Sequence, residues 1–149
     1  MAYWLFKTEP DTFSIDDLAK KDTIWEGVRN YQARNFLRDG VKEGDEVFIY
    51  HSSCKRVGIA GIGRVTRAGF ADPFAFDPDS RYFDPKSSPD KPIWYAAELT
   101  FVRRLPLLPL AELKSNPALT ELALVKKGSR LSVMPVTQDQ WQAILAMAG

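Results

Sequence analysis

The sequence predicts an α+β fold in which short helices surround a small, curved, largely antiparallel β-sheet. Apolar runs of strand type recur along the chain, and short capped helices separate them. One of these runs, residues 57–65, carries glycine at positions 58, 61 and 63. Glycines inside a strand mark bends, bulges or close backbone approach, which a small, strongly curved barrel requires. Because 149 residues is the size of one domain, we expect residues 1–149 to form a single domain.

The chain begins with a strand and a helix. Tyr3–Lys7 is short, aromatic and apolar, which predicts a strand, and Pro10 ends it because proline has no N–H to donate. Ser14 is a suitable helix N-cap, and Asp17 follows three residues later, as in a capping box. Polar residues then lead from this helix into Trp25.

The segment Trp25–Asn35, WEGVRNYQARN, concentrates aromatic, arginine and amide side chains. Asn30 is a predicted N-cap, and Gly40 is the predicted end of the helix that follows. Arg29 and Asn30 would then lie at the positive end of a helix, which suits an anion or a polar heterocycle. The alternative is that Trp25 belongs to the core and Asn30 only caps the helix.

The middle of the chain combines two strands with a long loop. Val47–Tyr50 is a continuous apolar run, which predicts a strand covered on both faces, and a polar cluster follows it. Residues 71–92 contain repeated Asp-Pro pairs and several aromatics. A loop of this length is usually functional or disordered. We expect it to cover part of a binding site or to dock on its own domain.

The last third alternates between strands and helices. Trp94–Leu105 has one apolar face and predicts a strand, and Pro109 begins a short helix. A turn at Lys126–Gly128 leads to a last predicted strand, Arg130–Val136. Thr137 and Gln140 then form a second capping box, and the final helix buries Trp141.

Composition excludes several classes of protein. The net charge of +1 provides no overall field that attracts nucleic acid or an acidic membrane, although a local basic patch is compatible with it. One cysteine, Cys54, excludes an internal disulfide and fits a reducing compartment. The N-terminal residues carry charges and no long apolar run, so we expect no signal peptide and no membrane span. The expected location is the cytoplasm, or the nucleus in a eukaryote.

Few residues suggest catalysis. His51 and Cys54 allow a thiol–imidazole pair, but their spacing identifies no nucleophile family, and one Cys with one His makes no zinc set. The acidic residues between positions 9 and 17 are better explained as a turn, a helix cap and a solvated face. No phosphate-binding or dinucleotide glycine motif is present in the sequence, so we expect neither metal nor cofactor.

Polar and aromatic residues lie where the predicted elements end, and strand ends meet at one mouth of a small barrel. Such a mouth would combine an aromatic wall with uncharged hydrogen-bonding groups, which is how a single splayed-out base is held. Nearby basic residues would hold phosphates. The candidate base-binding residues are Lys7, Thr8, Trp25, Val28, Arg29, Asn30, Tyr31, Asn35, His51, Ser52, Ser53, Arg130 and Ser132.

Four blocks resemble the EVE-domain family in order along the chain: YWLFKTEP at 3–10, WEGVRNYQARN at 25–35, YHS at 50–52 and RLSVMPV at 130–136. This family belongs to the PUA-like superfamily, with the YTH and ASCH domains. The resemblance implies a PUA-like barrel with a base pocket, for which modified cytosine in DNA is the proposed ligand. It implies that Trp25 stacks on the base and that Lys7, Asn30, His51, Ser52 and Ser132 are pocket groups.

The expected function is therefore that of a non-enzymatic module that binds DNA or RNA carrying a modified base. An enzyme acting on nucleic acid or a nucleoside, with Glu9, His51 or Cys54 as the reactive group, is the alternative. No fused effector domain is visible in these residues, so a separate effector protein is expected. Arg64 departs from the acidic residue expected in the family, and its effect depends on whether it faces the mouth. If Trp25 lines a pocket, its truncation should leave the fold intact.

Overall fold

Residues 2–148 are described by the structure, a computed structural model. Within this range six strands form one mixed sheet, and short helices cover it. The strands are β1 (Tyr3–Thr8), β2 (Thr23–Trp25), β3 (Glu46–His51), β4 (Gly58–Ala71), β5 (Tyr95–Pro109) and β6 (Val133–Val136). The α-helices are α1 (Ile15–Lys20), α2 (Tyr31–Asn35), α3 (Leu110–Ser115) and α4 (Gln138–Met147).

The sheet has the strand order β2-β5-β4-β3-β1-β6. Strands β1 and β3 are parallel, and the other neighbouring pairs are antiparallel, so the prediction of a largely antiparallel sheet is confirmed. Strands β2 and β6 are the two edges and are not hydrogen-bonded to each other. The α+β class is therefore confirmed, whereas closure of the sheet into a barrel is not.

Alternating side chains place an apolar cluster on each face of the sheet. On β3, Val47 and Ile49 belong to the first cluster, whereas Phe48 and Tyr50 belong to the second. Helices α1 and α2 cover the first cluster, and helices α3 and α4 cover the second. The prediction that this strand is covered on both faces is confirmed.

Glycine-rich β4 allows helix α1 to lie close to the sheet. A Cβ on Gly61 would lie 2.6 Å from the side chain of Ile15, so only glycine leaves room for the helix there. Register shifts between Ile59 and Gly61 and between Ile62 and Gly63 bend the β4–β5 ladder. The predicted link between strand glycines, bulges and close approach is therefore confirmed.

Most predicted elements are present, with different boundaries. Both capping boxes form, at Ser14 and at Thr137. The helix that Asn30 caps continues through a π-helical turn to Gly40. Strands β4 and β5 extend beyond their predicted ends because they pair with each other as far as Ala71 and Pro109. The last strand is shorter than predicted, since it pairs with β1 only from Val133 onward.

Candidate functional site

A cavity of about 470 Å³ lies where the sheet remains open. It runs along the edge strand β2, and the end of β1 and the residue before β6 border it. This position explains why a cavity is present, because the edge strands β2 and β6 do not pair with each other and leave a gap between them. The lining residues are Lys7, Thr8, Glu9, Thr12, Phe13, Thr23, Ile24, Trp25, Glu26, Gly27, Val28, Arg29, Asn30, Arg81, Tyr82 and Ser132.

Trp25 lines the cavity but is mainly a core residue. Its exposed fraction is 6%, and it belongs to the first apolar cluster. Its ring lies 5.5 Å from that of Phe6 and 5.6 Å, edge-on, from that of Phe13. The expectation that Trp25 can be truncated without loss of stability is therefore not supported, because these contacts would be lost.

Gly27 and Tyr82 bring the long loop onto the Trp25–Asn35 segment. Gly27 has φ +77°, a conformation that favours glycine, and a Cβ there would lie 2.5 Å from the Tyr82 ring. The ring therefore packs directly on the Gly27 backbone. Tyr82 becomes a second aromatic wall of the cavity. The loop at residues 71–92 thus docks on its own domain and also contributes to the predicted site.

Asp72 and Arg29 fasten the start of this loop. The carboxylate of Asp72 is fully buried and accepts hydrogen bonds from Gly27 N at 2.9 Å, Phe74 N at 2.9 Å and Arg29 Nη1 at 3.0 Å. Arg29 Nη2 donates to the Tyr82 carbonyl at 2.7 Å. The guanidinium thus holds the loop, and Arg29 also lines the cavity.

A stack of aromatic and arginine groups leads from the cavity to the surface. The Arg29 guanidinium carbon lies 5.6 Å from the Tyr82 ring centre and 5.2 Å from that of Trp94. Tyr31 stacks on Trp94 with ring centres 5.0 Å apart, and Arg34 lies 5.1 Å from the Tyr31 ring. Tyr31 is the outermost aromatic ring of this stack, with an exposed fraction of 61%. It does not line the cavity, contrary to its predicted position.

Two ionisable groups at the cavity are perturbed by burial. Burial raises the pKa of Glu26, the nearby Asp72 carboxylate raises it further, and Arg29 partly opposes them. Burial lowers the pKa of Lys7. Lys7 pairs in register with Tyr50 of the second cluster, so its side chain lies on that face of the sheet. Glu26 is therefore the better candidate for a charged group that meets a ligand.

Seven of the predicted site residues line the cavity, namely Lys7, Thr8, Trp25, Val28, Arg29, Asn30 and Ser132. Asn30 also caps α2 by accepting from Ala33 N at 2.9 Å, so the predicted cap is confirmed and the residue lies at the cavity as well. Arg64 is exposed and pairs in register with Glu46, away from the cavity. Its departure from the family pattern affects the surface only.

The polar residues at the end of β3 and just after it do not line the cavity. His51 Nε2 accepts from Ile15 N at 3.1 Å and supports the start of α1, and Ser52 donates to the Thr8 carbonyl at 3.4 Å. Ser53 adopts φ 54° in the turn that follows. Asn35 accepts from Arg34 on the exposed side of α2, and Arg130 is exposed. Their placement at strand and helix ends was predicted without the direction of each side chain.

Nine lining residues were not predicted, namely Glu9, Thr12, Phe13, Thr23, Ile24, Glu26, Gly27, Arg81 and Tyr82. Glu26 and Gly27 lie inside the segment already singled out, so their neighbours provided a signal. Arg81 and Tyr82 come from the long loop, whose aromatics indicated docking without showing which of them reaches the cavity.

Residues 2–148 offer little for metal binding or for thiol–imidazole catalysis. No group of three or more His, Cys, Asp or Glu side chains in this range is placed to hold a metal ion. The His51 acceptor nitrogen is already bonded to Ile15, and Cys54 is half-buried outside the cavity. No helix in this range is long and apolar enough to cross a membrane.

Comparisons with known proteins identify relatives along almost the whole chain. Thymocyte nuclear protein 1 from Homo sapiens is 39% identical over 98% of this chain and 73% of its own length. A crystal structure from Pseudomonas putida superposes with a TM-score of 0.97 at 55% identity and covers 99% of this chain and 100% of that one. The human THYN1 protein in complex with 5-methylcytosine-containing DNA superposes with a TM-score of 0.93 at 38% identity, over 99% and 98% of the two chains. The EVE domain model matches residues 2–147, and the chain therefore belongs to the EVE-domain family.

Proposed function

We propose that this protein recognises a modified base, namely a modified cytosine in DNA, in the cavity beside β2. The observation that carries this proposal is the cavity itself, built by the Trp25–Asn30 segment and walled by Tyr82 from the loop. The human THYN1 protein, which superposes over nearly the full length of both chains, was crystallised with 5-methylcytosine-containing DNA.

The size and lining of the cavity fit one nucleobase. A volume of about 470 Å³ lies within the range of small-ligand sites, which combine apolar walls with a few polar groups. Trp25, Phe13 and Tyr82 supply the apolar surface, and hydroxyl, amide and carboxyl groups share the lining. A base in a duplex reaches such a site by swinging out of the stack.

The surroundings of the cavity suit a nucleic acid strand. Arg81 at the cavity is exposed and is placed to contact a phosphate. Tyr31, exposed at the end of the aromatic stack, is placed to contact a nucleotide next to the recognised one. Five residues that were predicted to bind the base would then support the fold or lie on the surface around the site, namely Asn35, His51, Ser52, Ser53 and Arg130.

We further propose that the protein binds without converting its ligand. Neither cysteine nor histidine occurs among the cavity-lining residues, so the lining offers no thiol–imidazole pair. The response to binding would then depend on a separate effector protein in the cytoplasm, or in the nucleus of a eukaryote. We interpret the fold as a PUA-like barrel that is left open at the ligand site.

A panel of fluorescent oligonucleotides tests the proposed function. Its members differ at one central base, which is cytosine or a modified cytosine, in single-stranded and duplex DNA and in RNA. We expect one modified cytosine to bind at least about tenfold more tightly than cytosine in the same strand. Equal affinities across the panel would contradict modified-base recognition, and release of an altered base or nucleoside would show that the protein is an enzyme.

A further inference from the structure

A cavity that selects 5-methylcytosine must discriminate against thymine, which has a similar shape. The inference drawn from this requirement rests on the function proposed above. Both bases are pyrimidines with a methyl group at C5, so stacking on the ring and contacts with the methyl group do not distinguish them. They differ at position 4, where cytosine carries an amino donor and thymine a carbonyl acceptor. Selection against thymine therefore requires a hydrogen-bond acceptor in the cavity that meets position 4.

Glu26 is the residue that fits this requirement. It directly follows Trp25, lines the cavity and is half-buried. Its carboxyl group makes no hydrogen bond and no ion pair with any residue in the range 2–148 that the structure describes. The neighbouring Arg29 guanidinium is already hydrogen-bonded to the Asp72 carboxylate and to the Tyr82 carbonyl.

We propose that Glu26 determines specificity by accepting a hydrogen bond from the 4-amino group of the cytosine base. A carboxyl oxygen is a good acceptor for this amino group. The same oxygen would face the O4 atom of thymine or uracil, with no donor between two acceptors. The ligand class is therefore a pyrimidine that carries an amino group at position 4, whatever its substituent at C5.

Glu9 provides a matched control for charge. It also lines the cavity, but it is exposed, so water solvates its carboxylate. Substitution of either residue by glutamine removes one negative charge from the same cavity with little change in shape. Only Glu26→Gln changes the group that meets the base, since an amide can donate to O4 as well as accept from the amino group.

The experiment measures affinities for strands that carry 5-methylcytosine, cytosine or thymine at one position. For the wild type we expect 5-methylcytosine to bind at least about tenfold more tightly than thymine. Glu26→Gln should reduce this ratio at least about fivefold, and Glu26→Ala should weaken 5-methylcytosine binding, while Glu9→Gln should shift all affinities equally. Thermal unfolding of each variant shows that the fold is retained.

Two results would overturn the role of Glu26. One is equal binding of 5-methylcytosine and thymine by the wild type, and the other is an unchanged ratio in both Glu26 variants. Failure of the proposed function gives a different pattern. In that case 5-methylcytosine and cytosine would bind equally while thymine still bound weakly, and the role of Glu26 would stand.

Discussion

Arg29 donates a hydrogen bond to Asp72 Oδ2 at 3.0 Å, across 43 residues of sequence. The pair joins the Trp25–Asn35 segment to the long loop, and Gly27 N donates to the same carboxylate oxygen at 2.9 Å. This connection joins the chain segments that carry the two aromatic walls of the cavity. Trp25 precedes Gly27 and Arg29 in one segment, and Tyr82 follows Asp72 in the other. The cavity is therefore a product of two distant segments held by one buried carboxylate.

Asp72→Asn should destabilise the protein. Asp72 is fully buried, so its loss leaves the Arg29 charge without its partner, and breaking a buried pair costs about 3–5 kcal/mol. Because the Arg29 side chain is 25% exposed, we expect a loss of unfolding free energy at the lower end of that range. Urea denaturation measures the change. Asp77→Asn on the exposed loop is the control, and equal stability of the two variants would contradict the role of Asp72.

Gly27→Ala should weaken docking of the loop. The new Cβ would lie 2.5 Å from the Tyr82 ring, and φ +77° is unfavourable for alanine. Gly44→Ala is a matched control, since Gly44 also has a positive φ, +91°, but has no atom within 4 Å of the added Cβ. We expect a larger loss of unfolding free energy at Gly27, together with faster amide exchange in residues 81–84. Equal losses at both glycines would show that the Tyr82 contact is unimportant.

Trp25→Ala should reduce stability as well as ligand binding. The side chain is 6% exposed and contacts Phe6 and Phe13, so we expect a loss of about 3–5 kcal/mol. Trp141→Ala is the comparison, since Trp141 stacks on Phe48 with ring centres 3.8 Å apart. Denaturation of both variants checks this prediction. A Trp25→Ala variant as stable as the wild type would contradict the core role of Trp25 and would indicate that its ring serves only for stacking on a ligand.

Tyr31→Ala should weaken binding of a strand but not of a nucleoside. Tyr31 is 61% exposed and lies outside the cavity, so it can contact only a neighbouring nucleotide. Stacking of one base on an aromatic ring contributes about 1–3 kcal/mol, which corresponds to about a fivefold to 150-fold loss of strand affinity. Tyr31→Phe keeps the ring and should bind as the wild type does. Unchanged strand affinity in Tyr31→Ala would exclude this contact.

His51 should make stability depend on pH. Burial lowers its pKa below the ordinary value of 6.5, with partial opposition from Asp16, so the folded state favours the neutral imidazole. The contribution of His51 to the free energy of unfolding is fully present above pH 6.5. It is lost as the pH falls from 6.5 to the lowered pKa, because the histidine of the unfolded chain takes up a proton at a higher pH than that of the folded protein. Denaturation midpoints measured between pH 8 and pH 5 check this. In His51→Gln this pH-dependent part should be absent, and parallel profiles for the two proteins would contradict the account.

The local chemistry of the fold was predictable from sequence. The cap residues Ser14, Asn30 and Thr137 begin helices as predicted, because a side-chain oxygen that bonds the first turn is a local feature. The glycines of β4 indicated bulges and close approach for a similar reason. The parallel pairing of β1 with β3 was not predicted, since it depends on which distant strands meet.

The site was predictable in part. The Trp25–Asn35 segment is identifiable because its composition is unusual, and every residue from 25 to 30 lines the cavity. The direction of His51 was not predictable, because its partner is a backbone N–H at the start of α1. The contribution of Tyr82 depends on how the loop folds back onto Gly27, and no local pattern encodes that contact.

The most direct test of the central claim is to map ligand contacts by NMR on the folded protein. An oligonucleotide with one 5-methylcytosine is titrated into labelled protein of 16.8 kDa, and amide and indole shifts are followed. We predict that the largest changes occur at the Trp25 indole, Gly27 and Tyr82, with smaller changes at Tyr31. Changes centred instead on the basic segment at Lys55 and Arg56, with the Trp25 indole unmoved, would contradict a ligand site between β2 and the long loop.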